Sequence, residues 1–133
     1  MSKSKSHRMT ARVLGAVGTL GTTLLIATPV IVAQDVVKIS PETHAVILEN
    51  AQVRVLAVRI RPGEKVAVHS HPPNVVYYLS DGKIRLTLAD GHVEDRAVKA
   101  DTAVWSEATV HAAENVGAGE LREVQVELKV PAK

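Results

Sequence analysis

From His44 onward, apolar and polar residues alternate along the chain with a period of two. In VRVLAVRI, Leu56, Val58 and Ile60 fall on one side while Ala57 and Arg59 fall on the other. In KIRLTLA, Ile84, Leu86 and Leu88 oppose Lys83, Arg85 and Thr87. In LREVQVELKV, Val124, Val126, Leu128 and Val130 oppose Glu123, Gln125, Glu127 and Lys129. Successive side chains of a strand point to opposite faces, so each run predicts a strand with an apolar inner face and a wet outer one. Pro62-Gly63, Asp81-Gly82, Asp90-Gly91 and Gly117-Ala118-Gly119 separate the runs. Asp-Gly accepts the positive φ of a tight hairpin, so the strands flanking each such pair are expected to run antiparallel side by side. Short strands at intervals of about ten residues, with no segment of helical period among them, predict an all-β antiparallel sandwich or barrel. Val, Leu, Ile and Ala must fill its core, because the chain has no Phe, one Trp and two Tyr.

Ahead of these runs the pattern breaks down. Lys3, Lys5, Arg8 and Arg12, with no acidic residue among them, precede an apolar stretch from Val13 to Ala33, and polar Gln34-Asp35 follows. A positive start, an apolar middle and a small residue before a polar change describe a secretory signal peptide over residues 1–33, cut after Ala33. The alternative is an uncleaved membrane anchor, since the stretch spans 21 residues and about 20 cross a bilayer. Gly15, Gly18, Gly21 and Pro29 dilute and interrupt it, which favours the cleaved leader. The chain is therefore expected to be exported, to the periplasm or beyond the cell, touching membrane only if the segment stays. Residues 34–42 read as a flexible lead-in and 43–133 as one β-barrel domain.

Export changes how the charge is read. The whole chain has 16 basic and 14 acidic residues, a net of +2. Four of the basic residues precede Ala33, which leaves twelve against fourteen and a net of −2 on the remainder. With no basic run and few aromatic rings, nucleic acid is not an expected partner. The absence of cysteine excludes a disulfide and a lipidated cysteine anchor. The sequence contains no nucleophile elbow, phosphate loop, dinucleotide fingerprint or evenly spaced carboxylate pair, so any enzymatic reading rests on a metal and names no catalytic residue.

The stretch Gly63–Gly82, GEKVAVHSHPPNVVYYLSDG, supplies the metal chemistry. His69 and His71 lie one residue apart in a strand pattern, so both project from one face and can reach one ion. Pro72-Pro73 removes two backbone donors and places His71 at a strand end beside a loop. Gly63, five residues, His69, one residue, His71 and ten residues to Gly82 resembles the first motif of the cupins, G-x5-H-x-H-x3,4-E-x6-G. The glutamate of that pattern falls on Val75, or on Val76 in the longer register. The second cupin motif, G-x5-P-x-G-x2-H-x3-N, finds its histidine and asparagine at His111 and Asn115, with Ala100, Ser106 and Ala108 at its other positions.

The resemblance, which runs from about Val53 to Val130, implies a small cupin jelly-roll barrel. In it His69, His71 and His111 would be inward-pointing ligands of one divalent transition metal (Fe, Mn, Zn, Ni or Cu). A three-histidine set with an open side resembles catalytic zinc sites and the sites of some cupin dioxygenases. Without the glutamate the ion keeps a charge of +2, which favours a small anionic substrate. Strand parity puts Val75, Tyr77 and Leu79 on the inward face, with Tyr77 as a phenol near the site or a core residue. Trp105 is expected to pack the barrel end, Asn115 to hydrogen-bond the motif's turn, and Glu107, four residues before His111, is a candidate for the missing carboxylate. His44 and His92 match no ligand position. The implied function is a small exported metal-binding cupin, extending to a metal-dependent dioxygenase or other oxidoreductase. The alternative is a non-catalytic small-molecule or metal-binding module of the envelope. The apolar AVILE segment between His44 and Asn50, at a sheet edge, predicts a homodimer.

Overall fold

A computed structural model describes residues 34–129; the leader or anchor expected over residues 1–33 and the last residues, 130–133, lie outside the described residues. Nine strands are present among them: β1 (His44–Glu49), β2 (Val53–Ile60), β3 (Lys65–His71), β4 (Asn74–Tyr78), β5 (Gly82–Leu88), β6 (Val93–Val98), β7 (Thr102–Ser106), β8 (Thr109–Asn115) and β9 (Leu121–Leu128). They form a five-stranded sheet in the order β1-β2-β9-β4-β7 and a four-stranded sheet in the order β3-β8-β5-β6. Every strand pair is antiparallel. After β2 the chain changes sheet at each connection except β5 to β6. That winding makes the antiparallel sandwich expected from the alternation and the jelly roll implied by the resemblance.

Leu56, Val58 and Ile60 of β2, Val66 of β3, Ile84 and Leu86 of β5 and Leu121 of β9 form the core between the sheets. For β2 and β5 the face chosen by the hydrophobic pattern is the buried one. β9 is turned the other way. Glu123, Gln125 and Glu127 are buried, while Val124, Val126 and Leu128 lie half-buried on the outer face. Register explains the inversion. Gln125 sits opposite Leu56 on β2 and Val76 on β4, and Glu123 sits opposite Val58 and Tyr78. Direct cross-strand partners share a face, so two apolar neighbours fix these polar residues inside.

Two other expectations are corrected. The strands flanking Asp90-Gly91, β5 and β6, pair as a hairpin with Gly91 at φ 86°, but those flanking Asp81-Gly82 enter different sheets. Gly82 begins β5 instead, where a Cβ would stand 2.9 Å from Leu121 Cδ1, so a larger residue would have to move the end of that side chain. Nor is the segment 34–42 a flexible lead-in. It holds a one-turn helix, α1 (Val36–Ile39), capped by Asp35, whose carboxylate accepts from Val37 N–H at 3.1 Å. Val36 is fully buried in the core, and the Gln34 carbonyl accepts from Ser70 N–H of β3 at 3.0 Å. The helix thereby lays the start of the described chain against the strand that carries His69 and His71.

At the opposite end of β3, Asn115 is fully buried and closes the turns around it. Its Nδ2 donates to the carbonyls of Ile60 and Gly119, and its Oδ1 accepts from Gly117 N–H. Gly63, at φ 76°, donates its N–H to the Asn115 carbonyl. Both glycine-containing turns are thus tied to one side chain and its backbone.

Candidate metal centre

β3 and β8 are neighbours, with His69 directly opposite His111 and His71 opposite Thr109. Alternation along β3 and direct pairing across to β8 put all three imidazoles on the inner face. A fourth, His44, reaches them from the first residue of β1, in the other sheet. His44, His69 and His71 are buried, and one donor atom of each lies within 4.8 Å of the other two. The His111 ring centre stands 4.7 Å from that of His69 and 5.4 Å from that of His71. No sequence spacing relates His44 to the other histidines; only closure of the sandwich brings it there.

Three of the four rings, His44, His69 and His71, hydrogen-bond alike. Thr43 Oγ1 donates its proton to the Ser40 carbonyl, so at 2.7 Å from His44 Nδ1 it must accept from that ring. His69 Nδ1 donates to the Ala67 carbonyl at 2.6 Å, and His71 Nδ1 donates to Glu127 Oε1 at 2.7 Å. Each ring spends its Nδ1 proton on an oxygen, and the neutral ring then keeps its lone pair on Nε2. His71 Nε2 is buried with no hydrogen-bond partner among the described residues. Burial first, and the neighbouring histidines second, pull His44 and His111 down to about 3. Burial likewise pulls His69 down to about 4, against the hydrogen bond to Ala67. These rings are neutral at pH 7. Imidazole nitrogens in this tautomer, each oriented by a second hydrogen bond, fit a divalent transition metal.

No protein-family model and no curated protein matches the chain. Solved structures do. A cupin domain from Bordetella pertussis superposes with a TM-score of 0.61 at 24% identity, covering 65% of this chain and 92% of that one. A protein with a double-stranded β-helix domain from Klebsiella pneumoniae gives 0.54 at 26% identity, covering 68% and 78%. A cupin superfamily protein from Desulfitobacterium hafniense gives 0.51 at 17% identity, covering 65% and 76%. The chain has the fold of these cupin domains.

In this fold the inward residues of β4 are Asn74, Val76 and Tyr78, so the parity expected for Val75, Tyr77 and Leu79 is off by one. β4 is hydrogen-bonded to β9 with Asn74 opposite Glu127, and that pairing sets its phase. Val75 therefore faces outward, and Tyr77 is exposed, donating its hydroxyl to Asp101 at 3.2 Å. Trp105, paired with Val75, is exposed rather than packed in the barrel end, and its Nε1 donates to Glu107. Glu107 is exposed as well, so it supplies no carboxylate to the histidines. The carboxylate near them is Glu127. Its Oε2 accepts from Arg54 Nε at 2.6 Å, and Arg54 Nη1 spans both oxygens of Asp35 at 3.0 Å. Burial pushes Glu127 up, but the hydrogen bonds from His71 and Arg54 outweigh it and hold the carboxyl below its usual range.

A cavity of about 550 Å³ opens beside His71 and His111, walled by Val76, Ile84, Leu86, Leu88 and Val98, with Glu123 and Gln125 of β9 also on its lining. Glu123 lies four residues from Glu127, about 13 Å along the strand. Burial pushes its carboxyl up to about 7 from an ordinary 4.5, and the hydrogen bond from Gln125 Nε2 at 2.7 Å only partly opposes this. Between those two values the unfolded chain has released a proton that the folded chain retains. Stability therefore declines as pH rises through that window, and the full deficit persists above it. Glu123→Gln is expected to raise the free energy of unfolding by on the order of 2–3 kcal/mol above pH 7 and to change it little below pH 4.5. Urea unfolding of both proteins at the two ends of the window checks this; an equal effect at both ends would refute it.

Proposed function

We propose that this chain is a small exported cupin that holds one divalent transition metal on Nε2 of His44, His69 and His71, with His111 beside them as the fourth imidazole. The observation that carries the reading is the shared hydrogen bonding of the three buried rings, which directs each Nδ1 proton to an oxygen and leaves Nε2 for a metal. Glu127 and Arg54 would fix the orientation and raise the basicity of His71. Export rests on the basic, apolar leader over residues 1–33. Metal analysis of the purified mature chain is expected to give close to one ion per protein. Replacing His44, His69 and His71 by Ala together should abolish it, and His92→Ala, at an exposed site, should not. Stoichiometry near zero, or one unmoved by the triple replacement, would overturn the reading.

A second reading, a metal-dependent oxidoreductase of the dioxygenase kind, is favoured by the cavity's reach to His71 and His111. A small molecule in it would lie against the ligands. The argument for an anionic substrate turned on a missing carboxylate, and Glu127, one layer behind His71, restores a negative charge to the site. Iron-loaded protein is expected to consume oxygen with a small-molecule substrate and to stop when His69 is replaced by Ala. Uptake equal in protein and variant would leave the non-catalytic binding module as the function.

We also infer a homodimer through the β1 edge. Among the described residues β1 ends the five-stranded sheet, and Val46, Ile47 and Leu48 are 40%, 60% and 50% exposed there. An exposed, apolar, unpaired edge is the kind of surface that a second copy covers by two-fold pairing. Sedimentation should find a dimer for the mature chain and a monomer for Ile47→Lys. A wild-type monomer at every concentration would rule the edge out.

A further inference from the structure

We propose that the end of the cavity farther from the histidines, built by Glu123, Gln125 and Tyr78, is a second binding site that takes the protonated amino group of a small organic amine. The reason is an imbalance of donors and acceptors. Glu123 is 4% exposed and its hydrogen-bond partner among the described residues is Gln125 Nε2. Gln125 is 7% exposed, and its Oε1 is buried with no partner among the described residues. Neither Lys nor Arg pairs with Glu123 among the described residues, whereas the other buried carboxylate of β9, Glu127, is met by Arg54 and His71. Of the two cations on the cavity wall, Arg96 pairs with Glu94 at 2.7 Å and Lys99 with Asp81 at 3.1 Å.

A buried carboxylate without a counter-charge costs a fold several times what a paired one does, and an isosteric amide would avoid the cost. A destabilising ionisable group held in a cavity marks a functional position. What this end of the cavity lacks is a cation with several hydrogens. An ammonium supplies one charge and three donors, enough for the Glu123 carboxylate and Gln125 Oε1 together. An alcohol supplies one donor and no charge. The walls of Val76, Ile84 and Leu86 would then cover the hydrocarbon part, and the volume of about 550 Å³ is that of a small-molecule site. Tyr78, opposite Glu123 on the neighbouring strand, adds an aromatic face and a hydroxyl at the same level. An amine seated here would extend along β9 towards His71. The site is made of residues outside the histidine cluster and outside the Arg54–Glu127 pair, so it stands independently of metal binding.

Calorimetric titration of the mature protein at neutral pH with benzylamine, n-butylamine and benzyl alcohol tests the proposal, first as purified and again after EDTA treatment. The amines are expected to bind saturably in both preparations, with benzyl alcohol weaker by about tenfold or more. Glu123→Gln keeps the shape of the side chain and removes the buried charge, so the variant should fold. It is expected to weaken the amines by a similar factor and to leave the alcohol unchanged. Equal affinity for benzylamine and benzyl alcohol in the wild type, amine binding that survives Glu123→Gln, or no binding of either amine would each overturn the proposal. Amine binding lost after EDTA would place the amine on the metal and overturn it too.

Discussion

A carboxylate taken out of water must be met by cations and donors, and Glu127 is met by two. Arg54 reaches one of its oxygens at 2.6 Å and His71 the other at 2.7 Å. Such a pair contributes little net stability against an apolar replacement, yet losing one partner strands a buried charge. The geometry it enforces is therefore strict. It holds β9, β2 and β3 in one arrangement, and through the second half of the Arg54 fork it pins Asp35 and the helix that Asp35 caps. That helix ends at Ser40, whose carbonyl takes the Thr43 hydroxyl proton and so sets the tautomer of His44. One buried ion pair thus governs two of the three histidines whose donor atoms converge.

The same carboxylate accounts for the inversion of β9. With Glu127 inside, a period of two brings Gln125 and Glu123 inside and turns Val124, Val126 and Leu128 outward. The outer face of the five-stranded sheet is consequently more apolar than an ordinary solvated face, and it runs on to the exposed Ile47 and Leu48 of β1. Polarity has been exchanged between the two sides of one strand. The interior gains chemistry, and the surface gains an apolar patch of the sort that association covers.

Alternation made the strands legible, and for β2 and β5 it gave the inward face as well, because their neighbours and their own pattern agree. It could not give the inward face of β9. A period of two separates two sets of side chains without saying which set is buried, and the rule that apolar means inside fails when polar residues satisfy one another across strands. β4 failed for the same reason, because its phase is inherited from β9 through the pairing of Asn74 with Glu127. The motif spacing brought out His69, His71 and His111, which the fold does gather on one face. His44 carried no such signal, standing 25 residues before His69 in a strand of the opposite sheet. Gly82 was read as a hairpin residue by its dipeptide, whereas it begins β5 beside the Leu121 side chain.

Two acids on one strand, four residues apart and both facing inward, end in opposite states, and the difference follows from their neighbours alone. Glu127 sits between a guanidinium and an imidazole that donate to it, so its charged form is the favoured one. Glu123 has a single amide donor and an apolar surround, so burial lifts it to about 7. Had both been structural, the second would be expected to carry a partner as the first does, since leaving it bare costs stability with nothing gained in packing. Local rules of a good core are broken on β9 at positions lining a cavity that reaches His71 and His111. Breaches of that kind concentrate where a fold does its chemistry. The histidine end presents imidazole lone pairs and the Glu123 end presents acceptors that lack a cation, so the barrel interior is polarised along β9 from one to the other.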